Sequence, residues 1–262
     1  MKGLQMKVLD LGYMELAGSE LMAGLGPDVI RSPMSAVLIR HPQCGYILYD
    51  TGNDDRWEET YPEEVKASFP IRKLVTIEDA LRQEGIGPED IRYLVLSHLH
   101  IDHAGGLKFF QNTEAGRQVI VAEDELKDGL YRVHLVPDGK DGVYVRKLFA
   151  GLDGIGYSPV KEERKLADGV NLFVQKSHTK GLIGVELELE ERGTVLLCGD
   201  AVYTEEAFER ELPPGGGLNT SSAAFENNVH RLKDMVQKKH ARIFFGHDAR
   251  QAEEWEQQGW IS

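Results

Sequence analysis

Between Ser97 and Gly106 the chain reads Ser-His-Leu-His-Ile-Asp-His-Ala-Gly-Gly, directly after the apolar run 91–96. Three imidazoles and a carboxylate thus crowd into one short segment. In extended backbone, residues two apart share a side, so His98 and His100 can close on one cation from a strand end. Asp102 and His103 then face a second position. Imidazoles mixed with a carboxylate suit zinc or a neighbouring first-row metal, whereas an oxygen-only calcium or magnesium site would not gather histidines. The segment runs into Gly105-Gly106, and loop-borne sites of α/β proteins form at such strand ends.

The surrounding pattern supplies elements to hold this loop. Short apolar or alternating runs at 6–11, 36–40 and 46–49 predict an opening series of strands, closed by the turn Asp50-Thr51-Gly52. Thr76 begins a helix through Arg82, with Asp79 as its capping partner and Gly85 as its stop. Strand 91–96 precedes the metal loop. A short helix from Leu107, a strand at 119–122 and a helix from Glu123 follow it. The glycine-containing segment 137–156 reads as a mobile stretch or lid, with a short helix around 145–152. Strands are then predicted at 170–175, 185–189, 194–197 and 243–245. His178, Asp200 and His247 lie just past the first, third and fourth of these. Between them, Phe225, Val229, Leu232 and Val236 share one side of a helix over 223–239. The Pro213-Pro214-Gly215-Gly216-Gly217 run reads as a loop.

The chain has 262 residues and is 41% hydrophobic, enough for a large core. Its 43 acidic and 30 basic residues give a formal charge of −13, which opposes nucleic acid and anionic membranes as partners. The mixed runs 161–165 and 238–242 read as solvated faces. The amino terminus lacks a secretory pattern and no apolar run reaches membrane-helix length, so a cytoplasmic protein is expected. Cys44 and Cys198 cannot build a disulfide framework and read as buried thiols. Trp255 and Trp260 could pack within the chain or against a second subunit, which leaves a homodimer open. His41, His134, His230 and His240 read as structural or surface residues.

The series His98-x-His100-x-Asp102-His103, His178, Asp200 and His247 resembles the metallo-β-lactamase superfamily. Gly199-Asp200-Ala201-Val202-Tyr203 and Phe245-Gly246-His247-Asp248 are similar to its N-acyl-homoserine lactonase branch, which carries a tyrosine three residues after the bridging aspartate. The resemblance implies a single α/β domain over 1–262, an αβ/βα four-layer sandwich of two central mixed sheets flanked by helices. It also implies two divalent ions, zinc first, with iron, cobalt or manganese as alternatives. His98, His100 and His178 would hold one ion, Asp102, His103 and His247 the other, and Asp200 would bridge them. A carboxylate between two close cations offsets their repulsion, and water shared by both loses its proton near neutral pH. The sequence departs from the family at Ser177-His178-Thr179-Lys180-Gly181, where Gly-His-x-x-Gly is usual.

The implied reaction is hydrolysis of an N-acyl homoserine lactone by a metal-bridging hydroxide, with Tyr203 steadying the oxyanion and Asp102 protonating the departing alcohol. Leu21, Met22 and Leu25 are candidates for the acyl-chain surface, beside the segment 137–156. Another lactonase or carboxylic-ester hydrolase, of pyridoxolactone or butyrolactone type, is the alternative on the same scaffold. A diiron redox centre is the alternative of a different class, but no appended flavodoxin-like domain would fit in this length.

Overall fold

Alternation along the strands sorts the apolar residues onto two faces, and the computed structural model, which describes residues 1–262, shows where each face goes. Seven strands form one mixed sheet: β1 (Gln5–Ala17), β2 (Val29–His41), β3 (Gly45–Tyr49), β4 (Ile71–Leu74), β5 (Ile91–Val95), β6 (Val119–Ala122) and β9 (Tyr157–Val160), in the order β4-β1-β2-β3-β5-β6-β9. Lys140–Asp141 and Tyr144–Val145 pair separately as β7 and β8. Five more strands form a second mixed sheet in sequence order: β10 (Arg164–Ala167), β11 (Val170–Gln175), β12 (Leu182–Leu189), β13 (Gly193–Leu197) and β14 (Arg242–Phe244).

The sheets meet face to face. Val37, Ile39, Ile47 and Tyr49 of the larger sheet share one buried cluster with Val170, Leu172, Val185 and Leu187 of the smaller. Residues of opposite parity, such as Leu38 and Leu48, point outward and are covered by Ile77, Leu81, Leu126 and Val133 of the helices Ile77–Gln83 and Glu123–Leu135. On the far side, Phe225, Val229 and Leu232 of the helix Ser222–Lys239 cover Phe173, Leu196 and Ile243. The result is the expected four-layer order of helix, sheet, sheet, helix. Local chemistry sets the helix ends. Thr76 Oγ1 accepts the Asp79 amide and Ser221 Oγ accepts the Ala224 amide, at 3.1 and 2.9 Å.

Topology decides where the polar loops gather. β3 and β5 run parallel, β13 and β14 run parallel, and β11 is antiparallel to β12, which is antiparallel to β13. The carboxyl ends of β3 and β5 therefore lie on one edge, as do those of β11, β13 and β14. Two hydrogen bonds tie these edges together: the Ile183 amide donates to Ser97 O at 2.9 Å, and the Tyr49 hydroxyl donates to Ile183 O at 2.7 Å.

Several elements differ from the sequence reading. β1 and β2 run well beyond 6–11 and 36–40, pairing from Gln5 with Arg40 to Ala17 with Val29 through an irregularity between Asp10 and Tyr13. Past the irregularity, Met14 and Leu16 are buried on one side of β1 while Tyr13, Glu15 and Ala17 are half-buried, so its alternation resumes there. β4, β9, β10 and the helix Ala249–Gln257 were not expected. The 137–156 segment is not a loose lid. Tyr144, Val145, Leu148 and Phe149 enter the core, the helix spans only Arg146–Phe149, and Arg132 pairs with Asp128 and Asp141 at 2.7 and 3.0 Å to pin its start. Trp255 packs within the chain, against Phe244.

Between β11 and β12, Phe173 faces Gly184, and a Cβ on Gly184 would lie 2.2 Å from the phenyl ring. Gly184→Ala should therefore destabilise the fold by about 1–3 kcal/mol through overpacking. Urea unfolding should show Phe173→Leu in the same chain recovering part of the loss.

Candidate metal centre and active-site pocket

Four strand ends deliver the seven side chains. His98 and His100 follow β5 in extended backbone. Helical backbone then begins at Ile101, turning Asp102 and His103 to a different side from the two histidines before them. His178 follows β11, Asp200 follows β13 and His247 follows β14. Ligand atoms of His98, His100 and His178 lie within 4.8 Å of one another, and so do those of Asp102, His103, Asp200 and His247. Asp200 stands between the groups. Its Oδ2 is 3.8 Å from His98 Nε2 and 3.6 Å from His178 Nε2, while its Oδ1 is 3.2 Å from Nε2 of both His103 and His247. Asp102 Oδ2 is 3.6 Å from His103 Nε2 and 3.8 Å from His247 Nε2.

The far side of most of these rings is held. Ser97 Oγ lies 2.9 Å from His98 Nδ1 and 3.2 Å from His103 Nδ1. Asp50 accepts the Ser97 amide at 2.6 Å through one oxygen and meets His103 Nδ1 at 2.9 Å through the other. His247 Nδ1 faces Ser32 Oγ at 2.9 Å and Pro33 O at 3.1 Å, and His178 Nδ1 donates to Leu218 O. Holding Nδ1 orients each ring with Nε2 turned into the cluster, where His178 Nε2 meets His100 Nδ1 at 2.9 Å and His247 Nε2 meets Asp200 Oδ2 at 3.3 Å. Gly199 allows this close fit, since it has φ +54° and a Cβ there would lie 2.9 Å from Ser97 Cβ.

Buried atoms without partners show what the cluster can accept. His98 Nε2 has no hydrogen-bond partner, and His103 Nε2 and Asp200 Oδ1, 3.2 Å apart as an ion pair, make no well-aligned hydrogen bond. Burial holds His98, His100 and His178 below the usual histidine range, helped by neighbouring imidazoles, which favours the neutral, metal-binding form of each ring. Burial would also lower His103 and His247, but the charges of Asp200 and Asp102 outweigh it and raise both. Those two imidazoliums in turn hold Asp200 well below the usual carboxylate range against the effect of its burial. Two clusters of nitrogen and oxygen donors, bridged by one carboxylate, fit two divalent cations.

An apolar pocket opens onto this cluster. Met14, Leu16, Leu21, Phe69, Val143 and Leu218 line it together with Ser32, His100, Ile101, Asp102, Asp200, Tyr203 and His247. Tyr203 is buried, its ring 4.8 Å from that of His247 and 5.5 Å from that of His178. Burial, with Asp200 and Asp102 nearby, pushes its phenol well above the ordinary value, so it remains a donor. Leu21 reaches the pocket and packs with Tyr203. Met22 and Leu25 do not. The chain turns extended at Met22, and both pack with Phe173, Leu182 and Leu196 behind the small sheet. Burial pushes the Cys198 thiol up to about 12, so it stays protonated and belongs to neither group.

The sequence reading missed Asp50, Ser97, Ser32 and Glu125. Asp50 had been assigned to a turn, although an acid directly after an apolar strand is the same signal that picked out Asp200. Ser32 and Ser97 carried no signal of their own. Glu125 is fully buried in the first turn of the helix Glu123–Leu135, and burial pushes its carboxyl up to about 7.

The sequence pattern of the metallo-beta-lactamase superfamily matches residues 31–247, from β2 to the last of the seven side chains. The chain is 33% identical over 216 residues to an N-acyl homoserine lactonase of Bacillus cereus, covering 79% of this chain and 78% of that one. It is 30% identical over 277 aligned positions to N-acyl homoserine lactonase AiiB of Agrobacterium fabrum, covering 95% of each. The chain belongs to the metallo-β-lactamase superfamily and, within it, to the N-acyl homoserine lactonase family. Among solved structures it is similar to a variant of Bacillus thuringiensis AiiA with N-decanoyl-L-homoserine bound at the active site, with a TM-score of 0.79, 28% identity and 95% of both chains covered. A hydrolase with the product N-hexanoyl-L-homoserine at its catalytic metal centre gives a TM-score of 0.78, at 28% identity and 95% coverage of both chains.

The charges of Asp200 and Asp102 favour protons on His103 and His247, and a cation entering between Asp102, His103 and His247 would compete with those protons. Zinc titrated into chelator-treated protein should release protons, and zinc affinity should fall as pH drops because acid restores those protons. Calorimetry in buffers of different ionisation heat reads the number released. A value of zero at neutral pH would contradict this charge arrangement.

Proposed function

We propose that this protein is a dinuclear metal-dependent lactonase that opens the ring of N-acyl homoserine lactones, a quorum-quenching activity. His98, His100 and His178 would hold one divalent ion and Asp102, His103 and His247 the other, with Asp200 between the two groups and zinc as the ion. Bound there, the ions would acidify a water to supply a nucleophile near neutral pH and would polarise the substrate carbonyl. Because the seven side chains come from loops of both sheets, residues 1–262 are read as one domain.

The observation that carries this reading is the shared pocket: Tyr203, Asp102 and Asp200 face the same cavity as an apolar wall of Met14, Leu16, Leu21, Phe69 and Val143. That wall suits an acyl chain, and each buried methylene contributes about 0.8 kcal/mol. The chain's tail then lies on β1 while its ring points toward Asp200. The Tyr203 hydroxyl donates to the carbonyl oxygen as negative charge develops there. Asp102 stands where it can take the proton given up by the attacking water and return it to the ring oxygen when the acyl carbon–oxygen bond breaks.

Acid release from a panel of homoserine lactones of different acyl length, together with a pyridoxolactone and simple butyrolactones, tests the substrate. Turnover confined to lactones without an acylamino chain would favour the other-lactone reading. Tyr203→Phe should keep its zinc and lose about 100-fold in kcat, the cost typical of one oxyanion donor. Unchanged turnover would reject the role given to Tyr203. Leu21→Ala should weaken the preference for long acyl chains, read as kcat/KM against chain length. Met22→Ala should leave that preference alone and cost about 2–5 kcal/mol of stability instead, as a large-to-small core change does.

A further inference from the structure

Glu125 is unlike the other buried acids. Asp54 pairs with Lys108, Glu186 with Lys239, and Asp50 and Asp200 with histidines, but no ion pair reaches Glu125. A buried carboxyl without a cation is costly, so what it touches should explain its presence. Its Oε1 accepts the Leu99 amide at 3.0 Å and the Tyr144 hydroxyl at 2.9 Å. Leu99 lies between His98 and His100, and its amide has no backbone acceptor. The Tyr144 ring stands edge-on to the His100 ring, with centroids 4.7 Å apart and planes at 83°. Thr179, the residue after His178, donates its hydroxyl to Gly181 O at 3.3 Å instead.

We propose that Glu125 is the positioning residue of the three-histidine site, locking the His98–His100 backbone and the ring that backs His100 to one buried carboxyl group. Both of its contacts lead to that site. Neither involves Asp102, His103, Asp200 or His247. Removing the carboxyl therefore frees one metal site and leaves the other intact, an asymmetry that a general packing role would not produce. The inference rests on the dinuclear reading above.

Zinc content and zinc dissociation constants, measured on protein dialysed against buffers of fixed free zinc, provide the test. Wild-type protein should hold two ions. Glu125→Leu keeps bulk in the core but removes both acceptor contacts. It should hold one ion tightly and bind the other 10–100-fold more weakly, the usual effect of losing a partner behind a metal ligand. Glu125→Gln should restore the second ion, because its amide oxygen can accept from the same two donors. Should Glu125→Leu not fold, Tyr144→Phe removes one of the two donors and keeps the ring against His100, and it should weaken one ion several-fold and spare the other. Two ions bound with wild-type affinity in these variants, or equal weakening of both ions, would overturn the proposal. Wild-type protein that fails to bind two ions would overturn the dinuclear reading itself, and this inference with it.

Discussion

A single buried carboxylate, Asp200, has to be stabilised among four imidazoles, and much of the molecule serves that need. It lies within 4 Å of His98, His103, His178 and His247, at a depth where an isolated charge would be prohibitively costly. Raised proton affinity on His103 and His247 supplies part of the balance. Divalent cations at the proposed sites would take the place of those protons and draw on the lone pairs of the other three histidines. The same arrangement therefore explains both why the cluster tolerates burial and why it should take up metal.

This balance requires side chains from both sheets at one point, and parallel pairing is how the fold meets that requirement. Parallel strands present their carboxyl ends on a common edge, so β3 with β5 and β13 with β14 each bring two loops to the same place. The bonds from Ile183 to Ser97 and from Tyr49 to Ile183 then join the two edges. Ser97 is the link between scaffold and site, since its carbonyl belongs to the inter-sheet join while its hydroxyl contacts both His98 and His103.

The pocket has a different origin from the metal cluster. Its apolar wall comes from the extended half of β1, from Leu21 and from Phe69, none of which belongs to the strand-end loops. In the proposed binding mode, catalytic machinery and substrate preference could thus change separately: the carbonyl end would meet Tyr203 and Asp102, while the tail would lie along the apolar wall. Such a division suits a scaffold on which many hydrolytic substrates are handled by one centre.

Most of the strands and the longer helices were legible in the chain, though β4, β9, β10 and the helix Ala249–Gln257 were not. The candidate histidines and aspartates stood out because each follows an apolar run, with the family resemblance grouping them. Period-two alternation, capping residues and ligands placed just after apolar runs all act over a few residues. Asp50, Ser32 and Ser97 were not legible, because a short polar residue at a strand end looks the same whether it closes a turn or supports an imidazole from a distant loop. The same holds for Leu21 and Met22, adjacent and both apolar, which the fold sends to different clusters, one at the pocket and one in the core. Sequence alone determined which groups could bind metal. Tertiary structure decided which of them share a carboxylate, what holds their far sides and which hydrocarbon faces the substrate, since each of those depends on contacts between segments as far as 215 positions apart along the chain.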